Sequence, residues 1–207
     1  MRILNRHFID GFYAVINPIG ERLEAAEVHP HVVTVTGLIL SVISGLIFWK
    51  GFIFFGGVVL VASGACDVLD GRLARKTNTN SRFGALLDST VDRYSEIAVY
   101  MGLAAFFNSP FIHALIILAI AGSLLTSYVR ARAEGLGIEC KIGMMQRPER
   151  ITFLAVGAII GAIFDLLFGA KQALLILAIL GIAILSNITV IQRMLLVRNS
   201  LKNKIEE

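Results

Sequence analysis

The chain has 207 residues, of which 56% are hydrophobic and 16% are charged, and its mean hydropathy is +0.76. Soluble domains are roughly 45–50% apolar and about 25% charged. The composition therefore excludes an ordinary soluble protein and predicts that most of the chain lies in lipid. The formal net charge of +4 is not carried by a recognisable nucleic-acid-binding module, so we expect no nucleic-acid partner.

The first 27 residues predict an amphipathic helix at the membrane surface. Apolar side chains such as Phe12 and Val15 are mixed there with arginines and acidic residues, which is the pattern of a helix lying in the interface. The dipeptide Asn17-Pro18 predicts a break in this segment.

Six apolar stretches then predict six transmembrane helices, because about 20 apolar residues cross the hydrocarbon core. Three of the stretches contain no charged side chain, and three are interrupted by charge. The predicted fold is an all-α integral membrane protein of one domain, with residues 1–27 at the interface and residues 28–207 forming a six-helix bundle. The predicted spans are residues 31–49, about 52–75, 83–107, 110–129, 151–169 and 172–192.

The placement of positive charge predicts the orientation. All Lys and Arg residues except Lys50 and Lys171 fall on the side of the two termini, and such an excess marks the cytoplasmic side. We expect a multi-pass protein of the cell membrane with both termini and the active site facing the cytoplasm. The basic face suits anionic membrane lipids and phosphorylated substrates.

Four aspartates interrupt the second and third predicted spans. Asp67 and Asp70 are three residues apart, and Asp88 and Asp92 are four apart, so each pair shares one helix face. A charge inside a span costs several kcal/mol, which makes a functional role the default interpretation. If the two helices are neighbours, the four carboxylates converge and require cations. Hard oxygen ligands favour Mg²⁺ or Mn²⁺, with more than one ion.

Small residues and an arginine accompany the aspartates. Gly71, Ala74 and Gly84 allow close approach of a substrate, and Arg75 offers a planar fork for phosphate oxygens. Together with a metal–carboxylate centre, these features predict a diphosphate site at which metal ions stabilise an in-line displacement.

Residues 67–92 follow the pattern D-x2-D-G-x2-A-R-x8-G-x3-D-x3-D without a gap or a missing position. This pattern resembles the signature of the CDP-alcohol phosphotransferases, and the predicted six-span layout with its surface helix is also similar to that family. The resemblance implies transfer of a substituted phosphoryl group from a CDP-alcohol to a hydroxyl acceptor, with release of CMP. It also implies a homodimer.

The resemblance also implies residue roles by motif position. Asp67, Asp70 and Asp88 would hold two metal ions, and Asp92 would act as general base while also touching a metal. Thr34 stands where relatives carry a threonine near the nucleotide, although His31 replaces the asparagine that relatives often have after Pro30. The set implied for the cytidine diphosphate is Asp67, Asp70, Gly71, Ala74, Arg75, Gly84 and Thr34.

The acceptor is indicated by two further stretches, residues 127–134 and 147–150, which resemble the branch that uses inositol phosphate. Arginines at the inner ends of three spans could bind the phosphate of a phosphorylated polyol, with inositol 1-phosphate favoured. The alternative role for each arginine is topology and head-group contact. Lys141 and Arg147 are interpreted as ordinary loop charges. The predicted acceptor set is Arg130, Arg132, Arg150 and Arg193.

Two alternatives stay open. Within the family, a phosphatidylglycerophosphate synthase would use glycerol 3-phosphate, but such relatives typically read Asp-Pro-x-Ala-Asp-Lys where this chain has Asp88-Ser-Thr-Val-Asp92-Arg93. Outside it, intramembrane carboxylates also mark ion pathways, as in a divalent-cation transporter. The motif does not distinguish CDP-diacylglycerol from CDP-archaeol as the donor.

Overall fold

The computed structural model describes residues 6–76 and 81–206. Residues 1–5 of the predicted surface segment and residues 77–80 between two predicted spans lie outside the described residues. The described part forms seven α-helices and no strand, which confirms the predicted all-α class. The helices are α1 (Arg6–Ala25), α2 (Pro30–Trp49), α3 (Ile53–Lys76), α4 (Arg82–Phe106), α5 (Pro110–Gly135), α6 (Arg147–Phe168) and α7 (Ala173–Glu206).

Five of these helices, namely α2, α3, α5, α6 and α7, are long and apolar enough to cross a membrane. The chain is therefore a membrane protein. Helix α4 has 25 residues and would also reach across the hydrocarbon core, but it carries several charged residues along its length, including Asp88, Asp92 and Glu96.

Several helix ends follow directly from local sequence. Pro30 occupies the first turn of α2, where its missing N–H is not needed. The side chain of Ser81 caps α4 by accepting a hydrogen bond of 2.8 Å from the amide of Gly84. Gly169 ends α6 in the left-handed conformation with φ of 63°. Asp165 then accepts two bonds from the amide of Gln172, at 2.8 and 2.9 Å, and closes the turn to α7.

Helix α1 contradicts one detail predicted for the N-terminal segment. The predicted break at Asn17-Pro18 is wrong, because α1 continues through Pro18 as one helix. Contacts with α3 hold the chain on both sides of the proline. Before the proline, Ile16 packs in a cluster with Leu69; after it, Lys76 donates a 2.7 Å hydrogen bond to Glu24. These tertiary contacts outweigh the local preference of proline to end a helix.

Helix α2 lies at the centre of the site-bearing half of the bundle. It packs extensively against both α3 and α4, whereas α3 and α4 are connected mainly through α2 in the described part of the chain. On the other side, α6 packs against α3 and α7, and α7 packs against α5. The motif aspartates are thus carried by two helices whose relative position depends on α2.

The contact between α2 and α4 requires two glycines. A Cβ atom on Gly102 would overlap the carbonyl oxygen of Gly45, and one on Gly45 would overlap the carbonyl oxygen of Ala98. Backbones approach this closely only where no side chain intervenes. The pair therefore sets the distance between α2 and the helix that carries Asp88 and Asp92.

Gly102→Ala should lower the thermal stability of the purified protein clearly. Overpacking a well-filled interior costs about 1–3 kcal/mol, and here the clash is with backbone, which no rotamer change relieves. The measurement is the melting temperature in detergent. Gly135→Ala is the matched control, since a Cβ there meets nothing within 4 Å. Equal melting temperatures for the two variants would contradict the close helix contact.

Candidate active site

The structure brings the four predicted aspartates into one electrostatic cluster. Asp67 and Asp70 lie on α3, Asp88 and Asp92 on α4, and the charge of Asp88 acts on Asp67, Asp70 and Asp92. Asp70 is buried, and the side chains of Asp67 and Asp92 are only 21% and 16% exposed. The charges of the four carboxylates act on one another, but the predicted direct packing of α3 on α4 is wrong, because both helices pack mainly on α2 in the described part of the chain.

Arg147 is the principal residue that sequence reasoning missed. Its interpretation as a loop charge is wrong, because it is the first residue of α6 and its Nη1 atom contacts both the Asp67 carboxylate and, at 2.7 Å, the Asp92 carboxylate. The signal was present in Pro148, since a proline that follows a loop commonly occupies the first turn of a helix. Arg147 therefore lies at the N-terminus of α6, where its side chain reaches α3 and α4.

Lys141 agrees with its prediction as a loop charge. It lies between α5 and α6, is largely exposed and pairs with Glu139. The hydrogen bond from Lys141 holds the pKa of Glu139 below its usual value. Neither residue touches the aspartate cluster.

The ligand atoms of this site, though not their spacing in the described chain, suit a hard divalent cation. Its ligand atoms are carboxylate oxygens, which Mg²⁺ and Mn²⁺ prefer. Asp92 Oδ1 is buried and has no hydrogen-bond partner among the described residues, although Arg147 lies within ion-pair distance of it. Within the described chain, no three acidic, histidine or cysteine side chains stand close enough to share one ion. A guanidinium nitrogen lies between Asp67 and Asp92 instead.

The predicted nucleotide residues gather at the same end of the bundle. Thr34 is buried and donates a 2.7 Å hydrogen bond to Asp70, which fixes that carboxylate. A Cβ on Gly84 would lie 3.1 Å from the ring of His31, so α4 begins close beside α2.

The remaining members of that set surround the end of α3. A Cβ on Gly71 would lie 3.4 Å from a guanidinium nitrogen of Arg75. Arg75 itself is exposed, and Ala74 is partly buried. The end of α3 beside the aspartates is thus accessible, and the guanidinium of Arg75 is available to bind a phosphate group.

Three of the four predicted acceptor arginines lie near one another. The charges of Arg130 and Arg150 act on that of Arg193. Arg193 is buried and donates to the carbonyl oxygens of Ile142 and Thr126, at 2.8 and 2.6 Å. Arg193 therefore also ties the loop before α6 to α5.

The other arginines differ in their surroundings. Arg150 is buried and makes a two-pronged contact of 2.7 and 3.1 Å with Glu96, a second residue that sequence reasoning did not single out. Glu96 could have been found from the sequence, because it is a further carboxylate inside a predicted span, one helical turn after Asp92. Arg130 pairs with Glu134 at 2.9 Å, and Arg132 is exposed.

A largely apolar cavity of about 390 Å³ opens beside the aspartates, between α1, α3 and α6. Its walls are mostly apolar side chains such as Phe12, Val68 and Ile159, and Asp67 and Arg147 also line it. An apolar chamber that reaches an ionic site can hold a molecule with a hydrocarbon part and a charged part.

The fold and site define a helical membrane protein with a carboxylate–arginine centre beside an apolar chamber. The chain belongs to the CDP-alcohol phosphatidyltransferase family, whose model matches residues 27–191. The family predicted from the motif is thereby confirmed, and the chain is a transferase enzyme. The alternative of a cation transporter loses its support.

Two relatives with assigned activities align with this chain over most of their length. The chain is 36% identical over 203 residues to an archaetidylinositol phosphate synthase of Methanothermobacter thermautotrophicus, covering 96% of this chain and 98% of the relative. It is also 36% identical over 203 residues to a phosphatidylinositol phosphate synthase of Cutibacterium acnes, covering 94% and 97%.

Solved structures of the Mycobacterium tuberculosis phosphatidylinositol phosphate synthase share the fold at 33% identity. The form with CDP-DAG bound has a TM-score of 0.77 and covers 89% of this chain and 94% of that chain. The complex with manganese and citrate has a TM-score of 0.76 and covers 88% of each.

Proposed function

We propose that this enzyme transfers a phosphatidyl or archaetidyl group from a CDP-lipid to inositol 1-phosphate and releases CMP, as a step of phospholipid biosynthesis. The observation that carries the proposal is the position of Arg147. It lines the apolar cavity beside Asp67, and Arg150, one turn further along the same helix, belongs to the arginine cluster with Arg130 and Arg193. A lipid-linked donor in this cavity and a phosphate bound at the arginine cluster would therefore meet near the aspartates. Similarity to synthases of inositol phosphate lipids supports this choice of acceptor.

The aspartates would hold two divalent cations, Mg²⁺ or Mn²⁺. Asp67, Asp70 and Asp88 would be the principal ligands, with Asp92 at the edge of the set. Bound ions neutralise the diphosphate and stabilise the departing CMP. Manganese in the complex of the tuberculosis enzyme supports divalent-metal use. Thr34, by its bond to Asp70, keeps one ligand carboxylate oriented before any ion arrives.

The chain's own side chains would carry the proton and hold the substrates. Asp92 would accept the proton of the acceptor hydroxyl, whose oxygen forms a new bond to the lipid-linked phosphorus. The bond from that phosphorus to the oxygen of CMP breaks at the same time. Gly71, Ala74, Arg75 and Gly84 would line the cytidine diphosphate together with Thr34, Asp67 and Asp70.

The apolar cavity supports a lipid donor but does not favour one hydrocarbon over another. CDP-DAG is bound in one structure of the tuberculosis enzyme, and the Methanothermobacter relative is an archaetidyl enzyme. Both CDP-diacylglycerol and CDP-archaeol fit an apolar chamber of this kind. A direct comparison of the two donors in one assay decides between them.

The remaining topology belongs to the same proposal. We propose that α4 also crosses the membrane, which brings the number of spans to six, and that α1 lies in the cytoplasmic interface. Both termini and the active site would then be on the cytoplasmic face of the cell membrane. The concentration of Lys and Arg on one side of this layout supports that orientation. Resemblance to the family supports a homodimer.

The decisive experiment is an acceptor panel. Purified protein is supplied with Mn²⁺ and a CDP-lipid, and CMP release is followed with inositol 1-phosphate, glycerol 3-phosphate, serine and free inositol. Inositol 1-phosphate should give the fastest turnover. Faster turnover with glycerol 3-phosphate would replace the proposal with the phosphatidylglycerophosphate synthase alternative.

Arg130→Ala should raise the KM for inositol 1-phosphate by about 10- to 150-fold, since charge-assisted hydrogen bonds contribute about 1.5–3 kcal/mol each. Arg130 is the most informative of the clustered arginines because it contacts the exposed Glu134, whereas Arg150 and Arg193 also hold the fold together. The KM for the CDP-lipid should change much less. Lys141→Ala is the control, and equal effects on both substrates would point to membrane electrostatics instead of acceptor binding.

A further inference from the structure

Arg147 makes one contact that is unusual for a guanidinium. A single atom, Nη1, touches carboxylates of two different helices, Asp67 on α3 and Asp92 on α4. Those helices meet mainly through α2 in the described residues. The arginine thus joins the two halves of the aspartate cluster from a third helix, α6.

The position of Nη1 is one that a divalent cation would also need. Mg²⁺ binds carboxylate oxygens at about 2.0–2.1 Å and tolerates little distortion. An ion that used both Asp67 and Asp92 would overlap the guanidinium, and its double charge would repel the single charge of Arg147. Arginine stays protonated under all ordinary conditions, so it cannot relieve this conflict by losing a proton.

The surroundings of Arg147 offer a second place for its charge. Glu96 lies one turn beyond Asp92 on α4 and acts electrostatically on Arg147. Arg147, Glu96 and Arg150 line a common cavity of about 20 Å³, whose other walls are mainly apolar, and it has room for about one water-sized group. The Nε atom of Arg147 is buried and has no hydrogen-bond partner among the described residues, so a turn toward this cavity need not break a bond at that atom.

We infer that Arg147 is an exchangeable counter-ion of the catalytic aspartates. When a divalent cation binds, Arg147 leaves Asp67 and Asp92 and turns toward Glu96. The inference rests on the metal site proposed above. Arg147 acts here as a positioning residue: it keeps the two carboxylates together and compensated, and it competes with the metal for them. A residue that only supported bound metal would have the opposite effect on metal affinity.

The test is direct Mn²⁺ binding, measured from the electron paramagnetic resonance signal of free Mn²⁺ in detergent without substrate. Arg147→Gln keeps a polar side chain that can donate a hydrogen bond, although a shorter one, and removes the competing charge. It should bind Mn²⁺ about tenfold or more tightly than the wild type, the effect of losing a charge-assisted contact. Its melting temperature in EDTA should fall, and the rise on adding Mn²⁺ should be larger.

Two further variants make the outcome decisive. Lys141→Gln removes a cation from the neighbouring loop and should leave Mn²⁺ affinity unchanged. If Arg147→Gln fails to fold, Arg147→Lys replaces it, since one ammonium cannot match the guanidinium contacts and should compete less. Unchanged or weaker Mn²⁺ binding in the Arg147 variant overturns the counter-ion role. If the Asp67→Asn variant binds Mn²⁺ as tightly as the wild type does, the proposed metal site is wrong.

Discussion

Asp67→Asn should reduce CMP release to background while the protein stays folded in detergent. The amide has the size of the carboxylate but cannot balance a divalent charge, and it also loses the ion pair with Arg147. Removing one electrostatic contact to a transition state typically lowers turnover by about 10²–10³-fold. The loss of a metal ligand should be at least as large. Asp88→Asn should behave in the same way, because its charge belongs to the same cluster.

The measurement is CMP release at saturating CDP-lipid and acceptor, together with a titration of Mn²⁺ and Mg²⁺ after treatment with EDTA. Asp165→Asn is a suitable control. That carboxylate lies outside the site, in the turn from α6 to α7, where it accepts bonds from the amide of Gln172. Asparagine can still accept one of them, so turnover should stay close to that of the wild type. Wild-type turnover that persists in EDTA would rule out the metal requirement.

The parts of the site that could be predicted from sequence depend on local geometry. The spacing within each aspartate pair places both members on one helix face, whatever the rest of the fold. The helices themselves are indicated by hydropathy, because each span needs about 20 apolar residues. These features need no knowledge of which helix packs against which.

The parts that could not be predicted depend on packing between distant segments. Arg147 and Asp67 are 80 residues apart in the chain, and nothing in the motif indicates that α6 faces α3. The close approach of α2 to α4 depends on backbone contact at Gly45 and Gly102. A glycine in a membrane span is common enough that its position alone does not identify its partner.

Glu96 and the two arginines of α6 show how such packing creates a site. Arg147 and Arg150 are three residues apart and so share one face of α6. The first contacts Asp92 and the second contacts Glu96, which are four residues apart on α4. Successive turns of α6 therefore each carry an arginine that pairs with a carboxylate on successive turns of α4. This register would separate the proposed donor and acceptor sites by about one helical turn.

Asp92→Asn should lower the rate of the chemical step by about 10²–10⁴-fold, the contribution of a well-placed general base. Affinity for the CDP-lipid should survive better than in Asp67→Asn, because Asp92 is proposed to lie at the edge of the metal set. Single-turnover CMP release with bound CDP-lipid measures the chemical step, and equilibrium binding of the donor is measured separately. The amide can still accept a hydrogen bond from Arg147, so the helix contact should remain and the melting temperature should change little. If donor affinity collapsed equally in the Asp67 and Asp92 variants, Asp92 would be a plain metal ligand. The proton of the acceptor hydroxyl would then have to leave by another group.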